Sequence, residues 1–166
     1  MRRFIYVCAV ALLWLIVQSP ALSQVAPVQA PQDGAPPILL SPEHPVLSLD
    51  GRSRYWLDPT GIRTIDQVEA TADTLPWALR QRGGSYVVDG RALWFQFDAA
   101  SKGNERWYVQ LASSGIDRVQ MFYRGPDGRW VEQEAGDSKP VSQWPLPGRF
   151  PTFELSSPAA KPVRYW

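Results

Sequence analysis

Between Leu93 and Trp130 the chain alternates ring-bearing or aliphatic side chains with polar ones, segment after segment, with turn signals in between. The segments read Leu93-Trp94-Phe95-Gln96-Phe97-Asp98, then Arg106-Trp107-Tyr108-Val109-Gln110-Leu111, then Asp117-Arg118-Val119-Gln120-Met121-Phe122-Tyr123. Beyond Gly125-Pro126-Asp127-Gly128 comes Arg129-Trp130-Val131-Glu132-Gln133-Glu134. Successive side chains on a strand point to opposite faces, so this period of two belongs to half-buried β-strands. Pro126 and Gly128 stand where tight-turn geometry uses them. Ser101-Lys102-Gly103-Asn104 and Ser113-Ser114-Gly115 read as hairpin connections too, which predicts that the four segments pair in sequence order.

The flanking sequence extends the pattern. Further short strands are expected at residues 46–49, 53–57, 85–88, 150–155 and 163–166, with a turn at Asp58-Pro59-Thr60-Gly61. One helix interrupts them. Thr64 followed by Gln67 fits a capping box, Ile65, Val68 and Ala72 recur at helical spacing, and Pro76 closes the segment. Leu75 and Trp77 are expected to tuck under the sheet edge. Antiparallel strands with short links and one early helix predict an all-β fold, a jelly-roll-like antiparallel β-sandwich.

The N-terminus carries a different message. Arg2 and Arg3 precede an uncharged apolar run from Phe4 to Val17, followed by Ser19-Pro20-Ala21-Leu22-Ser23. The run is about 14 residues, short of the roughly 20 that span a bilayer. Residues 1–23 are therefore read as a signal peptide cleaved after Ser23, with an uncleaved anchor as the alternative. Removing Arg2 and Arg3 takes the formal net charge from +1 to near −1, which offers neither a nucleic-acid footprint nor a polybasic membrane patch. Cys8, the only cysteine, falls inside the apolar run, so the exported chain has no disulfide and must rely on its core. Of the eight tryptophans all but Trp14 lie beyond the leader, and such side chains each contribute about 1.5–3 kcal/mol when buried. Residues 24–45, with Pro27, Pro31, Pro36, Pro37, Pro42 and Pro45, read as an extended, disordered Pro/Ala/Gln-rich linker. The sandwich is then expected over residues 46–166. It ends on Val163-Arg164-Tyr165-Trp166 in the middle of a strand, which suggests a truncated or incomplete edge.

Catalytic chemistry finds few candidates. His44, the only histidine, sits in the linker without a fixed partner, so neither a nucleophilic triad nor a histidine metal site is expected, and no cofactor. Asp98 with Glu132 or Glu134 is the one carboxylate pairing that glycoside hydrolysis could use, and each is more simply a solvated strand-end group.

Binding has more to work with. Trp94 shares a strand face with Gln96 and Asp98, near Tyr108 and Gln110, whereas Leu93, Phe95 and Phe97 make the obvious core face. Trp94 could stack on a sugar ring, but packing beneath the helix or beneath the loop at residues 138–148 is the favoured reading. Asp137, Ser142, Trp144 and Arg149 bring acid, hydroxyl, ring and guanidinium into one proline-rich connection. That loop is equally a cap closed by an Asp137–Arg149 pair, and Asp117–Arg118 is read as a structural ion pair. If the loop is a site, Trp144→Ala or Arg149→Ala weakens binding with little loss of folding.

Taken together these pieces resemble a known family. Tyr55-Trp56-Leu57-Asp58-Pro59, the Thr64 helix, Ala92-Leu93-Trp94-Phe95-Gln96-Phe97, Trp107-Tyr108-Val109 and Asp117-Arg118-Val119 with Tyr123 come first. Asp127-Gly128, Ala135-Gly136-Asp137, Pro140-Val141-Ser142, Arg149 and Phe153 follow in order. This resembles the type 2 extracellular domain of the seven-transmembrane receptors with diverse intracellular signalling modules. One departure is Trp144, where many relatives are expected to carry arginine. The resemblance implies a non-catalytic periplasmic sensor that binds a small molecule, carbohydrate foremost. It further implies membrane helices and a diguanylate cyclase or histidine kinase in parts of a receptor outside this sequence. The alternative is a stand-alone secreted carbohydrate-binding protein.

Overall fold

The computed structural model describes residues 35–113, 115–156 and 161–166. The predicted leader, and the part of the predicted linker before Ala35, lie outside them. Among the described residues nine strands and one α-helix form an all-β sandwich of two unequal sheets. The strands are β1 (Ile38–Leu40), β2 (Arg54–Asp58), β3 (Ala78–Leu79), β4 (Ala92–Ser101) and β5 (Trp107–Gln110). They continue with β6 (Val119–Arg124), β7 (Trp130–Ala135), β8 (Thr152–Leu155) and β9 (Val163–Tyr165); α1 spans Ile65–Ala70. The larger sheet runs β3-β2-β4-β9-β6-β7 with β1 added on β4, and β5-β8 form the smaller one.

The α1 capping box is present in full. Thr64 Oγ1 accepts from the Gln67 amide at 3.4 Å, and Gln67 Oε1 accepts from the Thr64 amide at 3.0 Å. Ile65 and Val68 are the buried positions of the helix. The expected β6–β7 hairpin also forms, with Arg124 opposite Trp130 and Val119 opposite Ala135. Gly128, at φ +76°, supplies the left-handed residue that closes its turn.

Strand pairing elsewhere departs from sequence order. The 93–98 segment does not pair with the 106–111 segment, nor the latter with 117–123. Instead β5 pairs with β8, Trp107 opposite Leu155 and Val109 opposite Phe153. β4 takes β2 along its first half and β1 along its second, with β9 on the opposite edge. Alternation identifies which face of a segment is buried and leaves its partner open. Here the partners lie across the sandwich. Residues 46–49 and 85–88 are not strands. Residues 36–45 are not all spacer: β1 pairs in parallel with β4, and Ile38 and Leu40 are buried. Two alternate apolar side chains outweigh the neighbouring prolines because they complete the core.

Two cores flank the larger sheet. On one face Ile38, Leu40, Phe97, Ala99, Met121, Ala135 and Tyr165 meet Phe153 and Leu155 of the smaller sheet. On the other, Trp56, Phe122 and Trp166 meet Ile65, Val68, Ala72 and Trp77 around α1. Both faces of the larger sheet are therefore apolar, which is what seven tryptophans in a disulfide-free chain make possible. β9 lies between β4 and β6, opposite Phe97–Ala99 of the former and Tyr123 of the latter. Beyond it Trp166 exchanges both main-chain hydrogen bonds with Phe122, each 3.0 Å. Past that point no strand among the described residues lies on β9's side of β4 residues 92–95, and those residues are only half-buried while 96–101 are mostly buried.

Candidate functional site

The loop nominated from sequence has a structural centre. Trp144 is buried within the first core, and its indole N–H donates to the Lys139 carbonyl at 3.0 Å. It is a plug, held from both its apolar and its polar side, and not an exposed ring for a ligand. That corrects the expectation that Trp144→Ala leaves folding intact. Asp137, Ser142 and Arg149 are exposed around it. Arg149 lies over Phe150, 5.2 Å from the ring centroid, and the expected Asp137–Arg149 pair is not among the ion pairs of the described residues. Arg118 pairs with Glu134 at 3.2 Å, not with Asp117.

Trp94 joins the second core, its ring stacked toward Phe122 at 6.3 Å between centroids. The favoured packing reading therefore describes it better than an open platform, and it lies on the sheet face opposite the Trp144 core. The five nominated residues do not converge on one place.

The carboxylates once eligible for hydrolysis are engaged as well. Asp98 accepts two hydrogen bonds from Arg164, at 2.9 and 3.1 Å, Glu132 accepts from Gln120 at 2.5 Å, and Glu134 faces Arg118 and Lys139. No group of three or more histidine, cysteine, aspartate or glutamate side chains among the described residues is placed to hold a metal ion. No helix among them is long and apolar enough to cross a membrane.

A different place has the shape of a site. A groove of about 400 Å³ runs along the smaller sheet and the loop beside it, lined by Arg106, Tyr108, Glu154, Tyr123, Gln133 and Leu146. On β5, Trp107 and Val109 turn inward to the core, which aims Arg106 and Tyr108 outward. Tyr108 is 41% exposed, far more than a packing tyrosine needs, and the Arg106 guanidinium sits 5.9 Å from its ring centroid. Arg106 grips Glu154 across the sheet with two hydrogen bonds, at 2.7 and 2.8 Å. The arginine's bonds hold the Glu154 carboxyl below its ordinary range, and the carboxylate in turn raises the arginine's own pKa.

Gln133 supplies the wall. Its amide donates to the Glu154 carbonyl at 2.8 Å and accepts from the Glu154 N–H at 3.1 Å. A side chain of β7 thus imitates a neighbouring strand and ties the larger sheet to β8. Alternation on β5 pointed to Tyr108 and Gln110. The pairing of Arg106 with Glu154, 48 residues apart, had no local signal in the sequence.

The chain matches one family model over residues 50–166, described as 7TMR-DISM extracellular 2. No curated protein and no solved structure matches it.

Proposed function

Because the chain belongs to the 7TMR-DISM extracellular 2 family, and so is the extracellular, periplasmic sensor domain of a membrane receptor, we propose that it detects a small carbohydrate in the groove of the smaller sheet. The observation that carries this reading is Tyr108, an exposed ring beside planar polar groups of both signs. A pyranose presents an apolar face and a rim of hydroxyls. An open tyrosine ring suits the face, and Arg106, Glu154 and Gln133 offer donors and acceptors to the rim. Engagement of Arg106 and Glu154 with each other pre-orders both, so a ligand meets a rigid edge.

The receptor context supports a division of labour in which this domain binds and other parts of the polypeptide respond. Seven membrane helices and a diguanylate cyclase or histidine kinase are the output that fits the family. Asp137, Ser142 and Arg149, exposed on the loop that Trp144 anchors, belong to the same proposal as contacts for larger glycans. The second reading, a stand-alone secreted carbohydrate binder, predicts the same ligand chemistry and no coupled output.

The test is titration calorimetry of the folded protein against neutral mono- and oligosaccharides, with Tyr108→Ala alongside. Saturable binding that weakens at least about tenfold in the variant, the worth of one good stacking contact, supports the groove. Equal binding by both proteins places the ligand elsewhere, and absence of binding across the panel removes the carbohydrate reading.

A further inference from the structure

Among the described residues, Arg106 and Glu154 are the only charged side chains that line the groove of the smaller sheet. They act as one group. The Arg106 guanidinium, one residue ahead of β5, meets the Glu154 carboxylate of β8 side-on, Nε to Oε1 at 2.7 Å and Nη2 to Oε2 at 2.8 Å. Both side chains remain open to solvent, 70% and 43% exposed.

This pairing first sets the charge of the groove, which is zero. The bonds from Arg106 hold the Glu154 carboxyl below its ordinary range, so the negative partner stays ionised at neutral and mildly acid pH. An anionic ligand reaches the arginine only beside that carboxylate or by displacing it, and like charges set side by side are costly. An uncharged ligand meets no such conflict. The pairing also sets a geometry. The side-on fork leaves a second N–H on Nη2 and a lone pair on Oε2 unused. A free donor and a free acceptor therefore stand next to each other, one hydrogen-bond length apart. Two gauche hydroxyls on adjacent ring carbons match that spacing: one donates to Oε2 and its neighbour accepts from Nη2. A lone hydroxyl engages half of the pair.

The apolar lining agrees with a ring held at that edge. Tyr108 flanks the pair from the sheet, and Pro145 and Leu146 line the same groove from the loop that Trp144 anchors, Leu146 being 43% exposed. A volume of about 400 Å³ lies at the small end of ligand sites and suits a mono- or disaccharide.

We propose that the Arg106–Glu154 ion pair is a vicinal-diol reader, through which the groove takes an uncharged pyranose by two hydroxyls on adjacent carbons and discriminates against uronic acids. This rests on the carbohydrate reading above and narrows it to a substrate class.

Titration calorimetry of the folded protein with D-glucose, D-galactose and D-mannose, each beside the sodium salt of its uronic acid at matched ionic strength, tests it. The expected result is saturable binding of at least one neutral sugar, about tenfold tighter than its uronate. For that sugar the 2-, 3- and 4-deoxy analogues locate the diol, because loss of either hydroxyl weakens binding about tenfold, the scale of one charge-assisted hydrogen bond. Arg106→Lys keeps the positive charge and loses the fork, and loss of an exposed ion pair spares the fold. In this variant the parent sugar binds only as well as the deoxy analogue, and the deoxy penalty vanishes, since both changes remove one interaction. A uronate that binds as tightly as its neutral sugar, deoxy analogues that all match the parent, or an undiminished deoxy penalty in folded Arg106→Lys overturns the diol assignment. Binding that still depends on Tyr108 then leaves the carbohydrate reading in place, whereas absence of binding by every sugar removes both.

Discussion

Replacing Trp144 with alanine distinguishes a plug from a platform. The indole is 7% exposed and packs in the same core as Phe153, Leu155 and Tyr165. Deleting a buried ring of this kind costs about 3–5 kcal/mol in lost transfer energy and residual cavity. The Lys139 carbonyl also loses the N–H that reaches it at 3.0 Å, although that end of the loop can recruit water. Set against a total stability of about 5–15 kcal/mol, Trp144→Ala remains folded in the cold but melts on the order of 10–20 °C lower. Trp144→Phe keeps most of the apolar contact and forfeits only the hydrogen bond, so its cost is about 1–2 kcal/mol. Urea denaturation of the three proteins measures both differences directly. A Trp144→Ala midpoint within about 0.5 kcal/mol of the parent, the range of an ordinary surface change, would refute the burial argument and return the ring to the list of ligand contacts.

Three further outcomes follow from the geometry. Burial alone would raise the pKa of Asp58, but hydrogen bonds from the Thr60 hydroxyl and amide and from the Arg63 amide outweigh it and hold the carboxyl below 3.8. A depressed folded pKa means stability that is complete above 3.8 and lost as pH falls through the lower, folded value. Denaturant midpoints should drop more steeply over that acid window in the parent than in Asp58→Asn, which is already weaker at pH 7; parallel curves would refute this. Gly136 adopts φ +126°, and a Cβ there would meet the Asp117 carbonyl oxygen at 2.4 Å, so Gly136→Ala should lower stability by more than the ~1 kcal/mol of an ordinary glycine exchange. Gln133→Leu removes both bonds to the Glu154 main chain and should cost about 1–3 kcal/mol, with hydrogen exchange at the Glu154 amide accelerating; unchanged exchange would show that the inter-sheet tie is dispensable.

Local chemistry was readable from the residues wherever a few neighbours decide the outcome. Thr64 and Gln67 announce the helix because the two groups satisfy each other within four residues. Asp127-Gly128 announces the β6–β7 turn for the same reason. What was not readable is which segment lies beside which. Tyr108 faces outward by alternation alone, but its companion Glu154 comes from β8, and nothing in either segment encodes the other. Trp144 misled for a related reason. Prolines on the following residues mark an irregular loop, and irregular loops usually face water, yet the fold inserts this ring between its two sheets. Ile38 and Leu40 were lost among prolines because two apolar residues are too few to establish a period.

Trp166 has a mechanical meaning. Its backbone N–H donates to the Phe122 carbonyl and its own carbonyl accepts from the Phe122 N–H, and its ring leans on Trp77 at 5.7 Å between centroids. A pull applied there does not peel a loose end away. It loads the centre of the larger sheet in shear, where several hydrogen bonds must yield together, and drags the α1 layer through the contact of the two indoles.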